Sequence, residues 1–262
     1  MDINKKKHLD DEFLKGPNSR LENLRFVYYV ASEFLKAFRI FHFAGPCITI
    51  FGSARFPPDH QYYQLTRKMA YELGRQGFTI MTGGGPGAME AANRGAQEAD
   101  ALSLGCNIIL DHEQEPNPYI DKYVVLNHFF VRKNILRKYS LAFVVMPGGF
   151  GTLDEFFESV TLIQTGKLNK FPIVVMDTHY HRFIMEHIEV MVQNKTISPH
   201  DLDLILFTDD INEAVDHILN FVRNRRDETI KTAPRPLKIL GEKKITKAAH
   251  SHESVKINET NS

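Results

Sequence analysis

The chain has few cysteines, no net charge and no long apolar run, and each shortage excludes something. Two cysteines among 262 residues, Cys47 and Cys106, have no metal-ligand spacing and both fall in apolar runs. Free buried thiols in a reducing compartment are therefore expected, not a disulfide framework or a metal centre. Lys+Arg and Asp+Glu each number 32, so no charge excess draws the body of the protein to nucleic acid or to a membrane surface. No run approaches the roughly 18 apolar residues that span a bilayer. The charged start, Met1 to Glu12, lacks the apolar segment of a secretory signal. A cytoplasmic protein is expected. Two phosphate-binding motifs are also missing. No glycine opens a G-x-x-x-x-G-K-[ST] loop. The G-x-G-x-x-G fingerprint fails at Gly85-Pro86-Gly87-Ala88-Met89-Glu90, where glutamate replaces the glycine needed for close helix packing. ATP and NAD chemistry are disfavoured, and no cofactor or metal is expected.

What remains is a regular alternation. Apolar runs suited to buried strands occur at Cys47–Phe51, Phe78–Thr82, Ser103–Ile109, Tyr123–Leu126, Leu141–Met146, Ile173–Met176 and Leu204–Phe207. Helical periodicity fills Tyr62–Gln76, Ala88–Ala99, Phe129–Tyr139, Leu153–Gln164, His181–Gln193 and Ile211–Arg223. Continuously apolar strands separated by helices predict an α/β fold, a mostly parallel sheet with helices on both faces. The expected organisation is a flexible segment 1–20, an N-terminal helix over 21–43, one nucleotide-binding domain over 44–224, and a polar, disordered tail over 225–262. The N-terminal helix is unusually aromatic, which suits either packing on the domain or an oligomer contact.

Three of the strands end in turns of glycine or other small residues: Gly52-Ser53, Gly83-Gly84-Gly85-Pro86-Gly87, and Gly148-Gly149-Phe150-Gly151. In open α/β sheets ligands bind beyond the carboxyl ends of the strands, so these turns are candidates to line one pocket. The last of them runs into a helix, and a glycine turn opening on a helix N-terminus suits a phosphate. Thr152-x-x-Glu155 has two readings. It matches a capping box, with Glu155 reaching back to the N-cap. It equally places a carboxylate at the pocket, where beside a phosphate it makes sense only if it acts on another part of the ligand. On the helix Phe129–Tyr139, at about 100° per residue, Phe129, Val131, Ile135, Leu136 and Tyr139 share an arc. Arg132 falls inside that arc and Lys133 at its edge. An inward guanidinium needs an anion: Glu155, Glu158 or a ligand.

Together, Gly83-Gly84-Gly85-Pro86-Gly87-Ala88-Met89-Glu90, Arg132-Lys133 and Pro147-Gly148-Gly149-Phe150-Gly151-Thr152-Leu153-Asp154-Glu155 resemble the LONELY GUY-type proteins, often labelled lysine decarboxylase-like. The resemblance spans about Cys47 to Phe221. It implies a Rossmann-like three-layer fold and hydrolysis of the N-glycosidic bond of a nucleoside 5′-monophosphate, either a cytokinin riboside 5′-monophosphate or AMP, to free base and ribose 5-phosphate. It implies Arg132 and Glu155 as the catalytic pair. By the same resemblance Lys133, Gly148, Gly149, Gly151, Thr152 and Thr161 would contact the nucleotide, and a homodimer or larger homo-oligomer is implied. Gly83, Gly84, Gly85 and Ser53 join the substrate candidates as turn residues. One departure is Gly87-Ala88-Met89-Glu90, where the family commonly has G-L-M-G. Another is the N-terminal helix with the long tail, which shorter members lack. The alternative is a nucleotide or molybdenum-cofactor carrier without catalysis.

Overall fold

A computed structural model describes residues 16, 19–45, 47–110, 115–168, 171–203 and 205–225. The expectations of flexible ends over 1–20 and 225–262 concern residues that lie, but for a few at their inner ends, outside the described residues. In chain order the elements are α1 (Arg20–Phe41), β1 (Cys47–Phe51), α2 (Gln61–Arg75), β2 (Thr79–Thr82), α3 (Ala88–Glu98), β3 (Ser103–Ile108) and β4 (Lys122–Leu126). They continue with α4 (Phe129–Tyr139), β5 (Ser140–Val145), α5 (Phe150–Gln164), β6 (Ile173–Met176), α6 (Thr178–Gln193), β7 (Ile205–Thr208) and α7 (Ile211–Arg225), with a short 3-10 turn at Pro199–Leu202.

Local chemistry explains several of these boundaries. Ser19 and Glu22 form a reciprocal capping box that starts α1. Asp177 accepts the N–H of Tyr180 at 2.7 Å and opens α6. The φ of +68° at Gly87 turns the chain from the glycine loop into α3, a conformation that costs a residue with a Cβ more.

All seven strands are parallel, in the order β4-β3-β2-β1-β5-β6-β7. Alternation across the strands feeds two cores. Phe51, Phe143, Val145, Ile173 and Val175 point to one face and meet Phe41, Val131, Leu136, Phe156 and Ile188 from α1, α4, α5 and α6. Ile48, Ile50, Ala142, Val144, Val174 and Met176 point to the other and meet Met69, Leu73, Ala92, Ala96 and Ile218 from α2, α3 and α7. Each strand must satisfy two apolar layers, which is why its sequence is apolar throughout. The result is a three-layer, Rossmann-like α/β fold. No described helix is long and apolar enough to cross a membrane.

The order of strands places the site. The chain leaves β1 toward β2, β3 and β4, then returns to the far side of β1 as β5 and continues outward. β1 and β5 are therefore neighbours whose onward connections diverge, and a crevice opens beyond their carboxyl ends.

Candidate active site at the strand switch point

The turns after β1, β2 and β5 meet at that crevice. Gly52 is pressed between helix and strand: a Cβ there would stand 2.6 Å from the Cβ of Ala88 and 3.1 Å from that of Met146. Ser53 donates its N–H to the carbonyl of Pro147 at 3.1 Å and accepts the N–H of Ala88 at 2.9 Å. Its hydroxyl accepts the Arg55 N–H at 3.2 Å. The backbone of Ser53 thus fastens the first turn to the other two.

The loop Gly83–Gly85 is held from beneath by a buried polar network. Gly84, with φ +77°, donates its N–H to the Thr82 hydroxyl at 2.9 Å, and Thr82 donates to Asn93 Oδ1 at 2.7 Å. Asn117 completes the frame. Its N–H reaches the Gly84 carbonyl at 3.0 Å, and its Nδ2 reaches the Gly85 carbonyl at 3.0 Å and Asn93 Oδ1 at 2.9 Å. Sequence reasoning missed both asparagines. Asn93 was visible as a polar residue between Ala92 and Gly95 on the small-residue face of α3, whereas Asn117 carried no signal because only the fold brings its loop here.

At the third turn the structure corrects an expectation. Helix α5 starts at Phe150, three residues before the predicted Leu153, with Gly149 as N-cap. Thr152 is already in the helix: its N–H and that of Leu153 both return to the Gly149 carbonyl, at 3.0 and 3.1 Å. No side chain caps this helix, so the Thr152–Glu155 capping box does not form. The missing Cβ of Gly148 leaves room for the Thr152 side chain in this early first turn, and Glu155 lies more than one turn inside the helix. The N–H groups of Phe150 and Gly151 precede the first intrahelical bond and have no helical acceptor. They open toward the crevice side of a helix N-terminus, where the macrodipole favours an anion. Gly148 lies under Thr152, where any Cβ would collide with the threonine side chain. Its carbonyl accepts the Tyr180 hydroxyl at 2.9 Å, a clamp from α6 that no sequence pattern announced.

Charged residues of α4 and α5 meet beside this turn. Lys133 Nζ lies 2.9 Å from Asp154 and 2.8 Å from Glu158, and Arg137 pairs with Glu158 at 2.9 Å. Burial works against charge on Lys133, but Glu158 and Asp154 overcome it and raise its pKa. Burial likewise works to raise Glu158, while Lys133 and Arg137 bring it below the ordinary carboxylate value.

Glu155 stands apart. It is 6% exposed, and its Oε2 is buried with no hydrogen-bond partner. Burial pushes its pKa from 4.5 to about 7, against the pull of Arg132 and Lys133 and with a further push from Glu158 and Asp154. The charge of Arg132 does not offset the burial of Glu155. Nor does Arg132 pair directly with either of the carboxylates expected for it. Its Nε donates to the Cys106 carbonyl at 2.9 Å, and its guanidinium fills the space over Gly83, where a Cβ would strike it. The backbone of β3 and the bare Gly83 together aim the guanidinium at the crevice.

The structure thus gathers Ser53, Gly83, Gly84, Gly85, Arg132, Lys133, Gly148, Gly149, Gly151, Thr152 and Glu155 around one end of the sheet. Thr161 is not among them. It lies two turns along α5, about 9 Å from Glu155 at 1.5 Å per residue, exposed, with its hydroxyl donated to the Phe157 carbonyl at 2.7 Å. Phe129, predicted on the inner arc of α4, is 52% exposed, while Val131, Ile135 and Leu136 are buried as expected. Among the described residues, no group of three or more His, Cys, Asp or Glu side chains is arranged to hold a metal ion. An open groove of about 620 Å³ lined by Gln164, Lys195, Thr196 and Asp201 lies at the far end of α5, away from the glycine turns.

Parts of this chain are similar to known proteins. The family model described as "Possible lysine decarboxylase" matches residues 89–218. A cytokinin riboside 5′-monophosphate phosphoribohydrolase of Mycobacterium tuberculosis is 27% identical over 165 residues, covering 62% of this chain and 88% of that protein. A pyrimidine/purine nucleotide 5′-monophosphate nucleosidase of Escherichia coli is 25% identical over 153 residues, 54% of this chain and 33% of that protein. Among solved structures, a molybdenum cofactor binding protein of Rippkaea orientalis superposes with a TM-score of 0.53 at 18% identity, over 68% of this chain and 97% of that one. At that identity the likeness is one of fold alone.

Proposed function

Because residues 89–218 match the family model described as "Possible lysine decarboxylase", and named phosphoribohydrolases are 25–27% identical to this chain, we propose that it hydrolyses the N-glycosidic bond of a nucleoside 5′-monophosphate. The products are the free base and ribose 5-phosphate. A cytokinin riboside 5′-monophosphate or AMP is the proposed substrate. The observation that carries this reading is Glu155: a buried carboxylate with one oxygen unpartnered and a pKa of about 7, beside an uncapped helix N-terminus.

In this reading the 5′-phosphate sits on the N–H groups of Phe150 and Gly151 at the start of α5, with the Thr152 side chain beneath. The ribose then lies over Glu155. As the bond from C1′ to the base nitrogen breaks, positive charge grows on the sugar ring, and a fixed carboxylate stabilises it. Water adds to C1′ as the bond to the base breaks and Glu155 takes the water's proton; the base leaves with the bonding electron pair and takes up one proton from solvent, while Glu155 returns its own to solvent and is again a carboxylate. Arg132, held by the Cys106 carbonyl, offers its remaining N–H groups to the phosphate or the ribose. With a pKa near 7, Glu155 is partly ionised at neutral pH, which suits a group that must accept a proton and give it up each cycle.

The decarboxylase in the family's description fits these residues less well. A lysine that forms a Schiff base must be neutral to attack. Lys133, beside the site, is held charged by Asp154 and Glu158. The proposed assembly is a homodimer or larger homo-oligomer, supported by exposed aromatics on α4 and α5: Phe130 at 44%, Phe150 at 93% and Phe157 at 39%.

The experiment is chromatographic detection of base release from a panel of nucleoside 5′-monophosphates, with Glu155→Gln as control. Release from AMP or an N6-substituted AMP, lost in the variant, is expected. Tight binding of a monophosphate with no release from any would replace hydrolysis by carriage.

A further inference from the structure

Helix α1 carries one charged residue on its inner face. Glu33, Ala37 and Phe41, spaced by four, are its buried residues. The Glu33 carboxylate is 7% exposed and is surrounded by donors from one place, the junction of β4 and α4. Oε1 accepts the Asn127 N–H at 2.8 Å and the Asn127 Nδ2 at 2.5 Å. Oε2 accepts the His128 N–H at 3.4 Å and lies 3.0 Å from His128 Nδ1.

This junction leads straight into the crevice. His128 is the N-cap of α4, and its side chain makes no cap bond of its own. The carboxylate from α1 supplies the negative charge that a helix N-terminus favours. The first hydrogen bond of α4 then runs from the Arg132 N–H to the His128 carbonyl, at 3.1 Å. One backbone bond therefore separates the residue that Glu33 grips from the residue whose guanidinium faces the crevice.

Simple docking of α1 would not require this carboxylate. Lys36 Nζ already reaches the Val125 carbonyl at 3.2 Å, and Phe34 and Phe38 pack against the core. For docking alone, an apolar residue would avoid the cost of burying a charge. Burial does press the Glu33 pKa upward, but the hydrogen bonds from Asn127 and His128 outweigh it and leave the pKa below the ordinary value. The carboxylate is thus held ionised and fully committed to the start of α4.

We propose that Glu33 is a positioning residue for Arg132, setting the first turn of α4 and through it the direction of the guanidinium over Gly83. The consequence for catalysis rests on the proposed hydrolase activity; the hold on α4 does not.

The test uses the full chain and three variants. Glu33→Gln keeps one acceptor but turns an amide N–H₂ toward the donors of His128. Asn127→Ala removes one donor and leaves the carboxylate, so it is the milder change. Lys36→Ala loosens α1 without touching the α4 turn. Hydrogen–deuterium exchange over residues 129–133 is the first readout. Glu33→Gln should speed exchange of the Arg132 amide about tenfold or more, Asn127→Ala should do so less, and Lys36→Ala should leave it unchanged.

The second readout is the acidic limb of the pH profile of base release. Glu155 faces Arg132 and Lys133 from α4, Asp154 and Glu158 on its own helix, and the neutral Cys106 thiol of β3. A displaced Arg132 relieves Glu155 less, so the limb should move to higher pH in Glu33→Gln and Asn127→Ala, with kcat/KM about tenfold lower or less. A role limited to docking α1 would lower stability and leave the limb in place.

If Glu33→Gln does not fold, Asn127→Ala carries both readouts. Unchanged exchange at 129–133 in the folded variants overturns the proposal, and so does an unmoved limb in an active enzyme. An inactive wild-type protein would overturn the hydrolase reading instead, and exchange would still decide whether Glu33 holds α4.

Discussion

Glu155 shows how burial competes with neighbouring charge at a single residue. Two cations lie near it, yet burial still raises its pKa from 4.5 to about 7. A carboxyl raised on folding favours the native state most below its ordinary value, and that contribution disappears as pH rises to the folded value. The gap between 4.5 and about 7 corresponds to at most about 3 kcal/mol. Glu155→Gln removes this penalty. Its stability relative to wild type should therefore grow between pH 5 and pH 8 and level off above, as read by urea denaturation at each pH. A gap independent of pH would mean that burial does not govern this carboxyl. The same variant should lose about a thousandfold or more in kcat, so stability and activity would move in opposite directions. Arg132→Lys is a sharper test of geometry. A lysine keeps the charge but cannot donate to Cys106 and face the ligand with a planar fork. We expect kcat/KM to fall about a hundredfold, measured on whichever monophosphate the wild type cleaves.

At the scale of the element, the turn into α5 separates space from conformation. A Cβ at Gly148 would collide with Thr152, whereas one at Gly149 meets nothing within 4 Å. Gly148→Ala should cost about 1–3 kcal/mol of stability, and Gly149→Ala about 0.5 kcal/mol or less. Equal losses in thermal or chemical unfolding would show that something other than the Thr152 contact sets the turn. Sequence periodicity located this helix but misplaced its start. Thr152-x-x-Glu155 satisfies the spacing of a capping box, and spacing carries no information about a helix that begins early on a glycine N-cap. Helix α4 behaved likewise. Its wheel placed Arg132, Val131 and Leu136 on the inner side, but Phe129 is 52% exposed although Val131, two residues on, is fully buried.

At the scale of the whole molecule, two apolar surfaces lack partners among the described residues. One is the outer face of α1, where Leu21, Leu24, Val27, Tyr28 and Leu35 are each at least 57% exposed. The other is formed by the exposed aromatics Phe130, Phe150 and Phe157 of α4 and α5. Surfaces of this kind mark contacts. Sedimentation at micromolar concentration should return a dimer or a larger assembly, and a monomer would refute the proposed homo-oligomer.

The sequence by itself determined the alternation of strands and helices, the doubly covered parallel sheet and the three small-residue turns. These come from local periodicity and backbone preference, which neighbouring residues settle among themselves. It also placed Arg132 on an inner face and Glu155 one turn from a glycine loop. Only the tertiary structure decided which turns meet, because the switch between β1 and β5 depends on strand order, which no local pattern encodes. The rise in the Glu155 pKa, the Gly83 seat for Arg132, the Asn93–Asn117 frame and the grip of Glu33 on α4 belong to the same class. Each depends on burial or on contact between distant segments, and those exist only once the chain has closed around them.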